Sequence, residues 1–160
     1  MPSMKDDPTT RAVANFLGKR TSTVVAPRPV HCMLYVRDLE RTIAFYEKLA
    51  DLREIDRHRY PGNVLAFMRG TGSDFELEVI QPDIWEFGPA EAPRWHLAFS
   101  VEDLEGEHKR LESLGFHPEP IEDFSPGGRF MNNWFYLYDP DGYQIEFLEQ
   151  RGRFARQSQA

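Results

Sequence analysis

The chain has 160 residues, with 19 Lys and Arg against 26 Asp and Glu for a formal charge of −7, and 41% of its residues are hydrophobic. This is the length of one domain with enough apolar material for a core, which excludes wholesale disorder. The acidic balance speaks against a nucleic-acid face, and no apolar run approaches the ~18 residues that span a bilayer. The lone Cys32 excludes an internal disulfide, and the start of the chain lacks the apolar segment of a secretory signal, so a cytoplasmic protein is expected.

Residues 1–27 read as an N-terminal extension, with a weak helical pattern from Thr9 to Arg20 (Val13, Phe16, Leu17). A short alternating strand follows at 30–36, then Asp38-Leu39-Glu40 opens an amphipathic helix that buries Leu39, Ile43, Phe45, Tyr46 and Leu49. Strands are predicted at 52–57, 64–68 and 75–80, separated by turn signals at Pro61–Asn63 and Gly70–Ser73. After a linker from Pro82 to Arg94 the series restarts. It gives a strand at 95–101, a helix opened by Asp103-Leu104-Glu105, and strands at 116–121, 130–138 and 143–148, with a turn at Asp139-Pro140-Asp141-Gly142. Residues 151–160 read as a polar tail.

The restart is a repeat. At an offset of 65 residues, from His31 to His96, Val36 meets Val101, Asp38 meets Asp103, Leu39 meets Leu104, and Glu40 meets Glu105. The predicted fold is α+β: tandem βαβββ modules at 28–82 and 94–150, forming a curved mixed sheet around a metal-binding cleft.

Strand alternation then sorts the polar residues. Cys32, Leu34 and Val36 form the apolar face of the first strand, leaving His31, Met33 and Tyr35 opposite. By the same alternation Leu97, Phe99 and Val101 leave His96 opposite; Phe75, Leu77 and Val79 leave Glu76 and Glu78; Ile145 and Phe147 leave Gln144 and Glu146. Each module thus supplies one His and one Glu, 47 residues apart for His31 and Glu78 and 50 apart for His96 and Glu146. Two imidazoles and two carboxylates describe a divalent-metal site with mixed nitrogen and oxygen ligands and open positions. Taken singly, each is more readily a structural histidine or a solvated glutamate, and Glu76 shares the face of Glu78 and competes with it. The aromatics Trp85, Phe87, Trp95, Trp134, Tyr136 and Tyr138 support an alternative, a cleft that binds a small molecule without turning it over.

The strings VHCMLYV (30–36), FELEVIQP (75–82), WHLAFSV (95–101) and DPDGYQIEFLE (139–149) resemble the vicinal oxygen chelate superfamily, which contains glyoxalase I, bleomycin and fosfomycin resistance proteins and extradiol dioxygenases. The resemblance covers about residues 28–150 and is nearest to glyoxalase I, the lactoylglutathione lyase. It implies metal ligands His31, Glu78, His96 and Glu146, and a lyase or isomerase that shifts a proton between adjacent oxygenated carbons through a metal-bound enediolate. Glu146 is then the base, and Glu78 returns the proton. The implied cofactor is one divalent ion per site, nickel or cobalt before zinc, manganese or iron. The implied partners are a second copy, as a homodimer, and a small-molecule substrate, a glutathione hemithioacetal or another 2-oxo compound. Tyr35 and Pro82 stand where bacterial glyoxalases I carry an Arg and an Asn that hold glutathione, a departure from the family's pattern that leaves Arg37, Arg94 and Arg129 as the candidates to replace them. The extradiol alternative implies iron at His31, His96 and Glu146 alone.

Overall fold

The computed structural model describes residues 28–86, 96–151 and 154; the expected N-terminal helix, Phe87, Trp95 and most of the C-terminal tail lie outside these. The element order is β1 (His31–Tyr35), α1 (Leu39–Ala50), β2 (Arg53–Tyr60), β3 (Asn63–Arg69), β4 (Glu76–Pro82), β5 (His96–Val101), α2 (Leu104–Ser113), β6 (Glu122–Phe124), β7 (Asn132–Tyr138) and β8 (Gln144–Glu149). Each module makes its own four-stranded sheet, in the orders β1-β4-β3-β2 and β5-β8-β7-β6. In both, the first and last strands of the module run parallel and the other pairs are antiparallel. The chain is therefore α+β with two copies of one βαβββ plan. No helix among the described residues is long and apolar enough to cross a membrane.

Both helices start as the sequence predicts. The Asp38 carboxylate accepts from the Arg41 amide and the Asp103 carboxylate from the Gly106 amide, each satisfying an amide of the first turn that has no partner within the helix. Helix α1 ends on Asp51 at φ 52, a left-handed conformation that Asp tolerates better than most residues with a side chain. The predicted strand at 116–121 is a correction. Pro118 and Pro120 have no amide to donate to a ladder, so this stretch keeps one backbone bond to β7, from the Glu119 amide to the Tyr136 carbonyl, and ladder pairing begins only at Glu122. Phe75, expected in the core, precedes β4 and is 38% exposed.

One core joins the modules. Leu34, Val36, Leu77, Val79, Ala66 and Met68 bury the helix-facing side of the first sheet; Phe135, Leu137, Ile145 and Phe147 do so in the second. Phe135 and Phe147 stack with centroids 5.2 Å apart and planes 9° apart. Across the join, Phe45 meets Phe116 edge-on, Lys48 Nζ donates to the Leu114 carbonyl, and Arg110 donates to the Leu49 carbonyl.

The DPDG turn locks this join. Asp139 is 5% exposed, and burial pushes its carboxyl up in spite of the donors around it. Its Oδ1 accepts from the Asp141 and Tyr143 amides, and its Oδ2 accepts from the hydroxyl of fully buried Tyr46 on α1. Gly142, at φ 91, closes the turn in a conformation that other residues resist. Asp139→Ala removes the acceptor for all three donors at once, so it is expected to cost about 3 kcal/mol and to lower Tm by roughly 10 °C in a thermal melt.

Candidate metal centre

The sheet faces turned away from the helices carry the polar residues. His31 and Met33 on β1, and His96 and Ser100 on β5, are exposed, while Leu65, Leu148 and Asn132 are buried on these faces.

In the parallel pair β1–β4, His31 lies opposite Glu76, and Glu78 lies one step further along the same face. In β5–β8, His96 lies opposite Gln144, and Glu146 lies one step further. The carboxylate reaches diagonally to the imidazole in both: Nε2 to Oε2 is 3.4 Å for His31 and Glu78, and 2.9 Å for His96 and Glu146. The imidazole side chains are 46% and 38% exposed and the carboxylates only 16% and 14%, so each Glu is sheltered in the sheet and each His stands at the opening. Burial pushes the Glu146 carboxyl up, against the opposing pull of His96. Glu76, the competitor, turns instead to Arg69 at 3.3 Å, and its counterpart in the second module is Gln144, not a carboxylate.

Within one chain the structure brings His31 to Glu78 and His96 to Glu146, and keeps the two pairs apart. Among the described residues no three His, Cys, Asp or Glu side chains group closely enough to hold a metal. Cys32 does not join either pair: it points to the core side of β1, where burial pushes its thiol up and away from nucleophilic use.

Two neighbours of the first pair were not legible in the sequence. Asp56, Phe67 and Glu78 lie in one row across β2, β3 and β4. The Phe67 ring meets His31 at 6.3 Å and His58 at 6.4 Å, both edge-on, and His58 Nε2 lies 2.9 Å from Asp56 Oδ2. The register irregularity between Glu54 and Asp56 resets the alternation of β2, so counting from Leu52 does not place His58.

Residues 28–147 match the sequence profile of the Glyoxalase/Bleomycin resistance protein/Dioxygenase superfamily. The chain belongs to that superfamily. A superfamily relative, the uncharacterized protein YwbC of Bacillus subtilis, is 33% identical over 131 residues, covering 79% of this chain and all of its own. A lactoylglutathione lyase of Escherichia coli O157:H7 is 30% identical over 135 residues, covering 78% of this chain and 93% of its own. The solved structure of a mutant of the fosfomycin resistance protein FosX from Listeria monocytogenes, complexed with Mn(II) and 1S,2S-dihydroxypropylphosphonic acid, aligns with a TM-score of 0.59 at 23% identity. It covers 78% of this chain and 90% of its own, and shares the fold.

Proposed function

We propose that the two His–Glu pairs are the halves of one divalent-metal site, His31 and Glu78 from one copy of the chain and His96 and Glu146 from a second. We propose further that the protein is a metal-dependent lyase or isomerase of the glyoxalase I type. The observation that carries this reading is the repetition of one diagonal His-to-Glu geometry on two open sheet faces. Each pair offers one nitrogen and one oxygen, and two donors do not hold a catalytic ion; four donors of this mixed kind suit nickel, cobalt, zinc, manganese or iron. A two-fold axis relating two copies supplies the missing half twice, giving two sites per dimer.

Such an ion would act as a Lewis acid toward two neighbouring oxygens of the substrate. The proton transfers belong to the chain. Glu146 Oε2, beside His96 and sheltered by the sheet, removes the proton from one oxygen-bearing carbon. Glu78 Oε2 takes the proton of the hydroxyl on that carbon and delivers it to the neighbouring carbon from the other side, and Glu146 passes its proton to the oxygen there, so both carboxylates are restored. His31 and His96 stay as neutral nitrogen donors. The similarity to lactoylglutathione lyases supports this reaction type. Tyr35 and Pro82, at the ends of β1 and β4, argue for a 2-oxo substrate other than a glutathione adduct.

The first test is elemental analysis of the protein purified without an affinity tag, beside the His96→Ala variant. About one divalent ion per chain is expected, lost in the variant. A protein that takes up no nickel, cobalt, zinc or manganese on dialysis overturns the reading.

A further inference from the structure

The open face of the second sheet carries more than the His96–Glu146 pair. On β7, Phe135 and Leu137 turn to the core, and Trp134, Tyr136 and Tyr138 take the other side. Tyr136 lies directly opposite Glu146 in the ladder. Its ring sits 5.6 Å from the His96 imidazole at 53°, and the Trp134 indole sits 4.3 Å beyond it at 57°. Trp134 and Tyr136 are only half-buried, although the core beneath is already closed by Phe135 and Phe147. Large rings in that position, beside a polar pair, offer stacking surface to a ligand rather than packing to the fold.

The charge of this face narrows the ligand. The four strands of the second sheet contain no Lys or Arg, whereas Glu146 lies opposite Tyr136, Glu122 lies opposite Trp134, and the Glu119 amide bonds the Tyr136 carbonyl. Among the described residues of these four strands, a carboxylate on the substrate would meet negative charge and no guanidinium to hold it.

Resting on the metal reading of the two pairs, we propose that Trp134 and Tyr136 form an aromatic shelf that selects substrates in which one of the two adjacent oxygen-bearing carbons also carries an uncharged aromatic ring. The oxygens occupy the space in front of His96 and Glu146, and the ring lies over Tyr136 and against Trp134. The shelf sets specificity; it takes no part in the proton transfers.

Two probes that differ only in the ring test this: benzohydroxamate and acetohydroxamate, each presenting two neighbouring oxygens. In calorimetric titration of the nickel-loaded full-length protein, benzohydroxamate is expected to bind at least about tenfold tighter, as a stacked and buried ring warrants. Trp134→Ala is expected to bring the ratio close to one with acetohydroxamate binding unchanged, and Trp134→Phe to restore most of it. Equal affinities in the parent protein, or an undiminished ratio in Trp134→Ala, overturn the shelf. A second arm needs no metal: benzyl alcohol and cyclohexylmethanol are titrated into the metal-free protein while the Trp134 indole N–H resonance, assigned by its loss in Trp134→Ala, is followed. Displacement by benzyl alcohol well beyond that by cyclohexylmethanol supports the shelf, and equal or no displacement overturns it. If nickel fails to tighten either hydroxamate while the indole still responds, the metal reading falls and the aromatic site stands.

Discussion

Glu146→Gln is expected to lower kcat by about 10³-fold while leaving the fold intact and most of the metal in place. The substitution keeps the shape of the side chain, and an amide oxygen can still face His96 across the 2.9 Å contact. What it removes is the ability to take a proton from carbon, and a positioned general base contributes about 10²–10⁴-fold. A thousandfold loss corresponds to about 4 kcal/mol of transition-state stabilisation. Glu76→Gln is the control. Glu76 lies on the same face, one step from Glu78, but it is engaged with Arg69, and its counterpart in the second module is already Gln144. Turnover of Glu76→Gln should stay within about twofold of the parent, because an exposed pair of this kind contributes little. Steady-state kinetics with metal content measured on the same samples decide the matter. If Glu146→Gln retains a tenth or more of the activity, Glu146 is not the base.

The contrast between Glu78 and Glu76 shows what the sequence could and could not say. Alternation places both on one face, and only the ladder tells them apart: His31 is opposite Glu76, yet its imidazole meets Glu78, in the same diagonal that joins His96 to Glu146. The internal repeat made His31 and His96 legible because the chain repeats a hydrophobic rhythm around them, and it placed Asp38 and Asp103 as caps for the same reason. The strand expected at 116–121 failed because side-chain pattern was counted and backbone donors were not, and two prolines there remove the ladder. Separation of the two pairs is a different kind of information. Periodicity reports which side of a sheet a residue takes, but the distance between two sheets is set by tertiary packing. In this chain that means Tyr46 reaching Asp139 and Phe45 meeting Phe116, contacts between residues far apart in sequence.

Mixing two inactive proteins is expected to restore activity. One carries His31→Ala with Glu78→Ala, the other His96→Ala with Glu146→Ala. If each site takes its first half from one copy and its second half from the other, every homodimer of either protein has two half-broken sites. A mixed dimer behaves differently. One of its sites receives both broken halves, and the other receives Glu78 and His31 from the second protein together with Glu146 and His96 from the first, all intact. After unfolding, mixing in equal amounts and refolding, half of the dimers are mixed and each has one intact site, so about a quarter of the parent activity and metal content returns. The four alanines remove partly exposed groups from open sheet faces and leave the shared core of Leu34, Val79, Phe135 and Phe147 untouched, so both proteins should fold and pair. A site assembled inside one chain gives the opposite result, because no chain in the mixture then holds all four ligands. Recovery near a quarter, absent when the proteins are mixed without exchange of subunits, identifies a shared site. Persistent inactivity in a mixture shown by native mass spectrometry to contain mixed dimers places all four residues in one chain and requires the two sheets to close on each other within it.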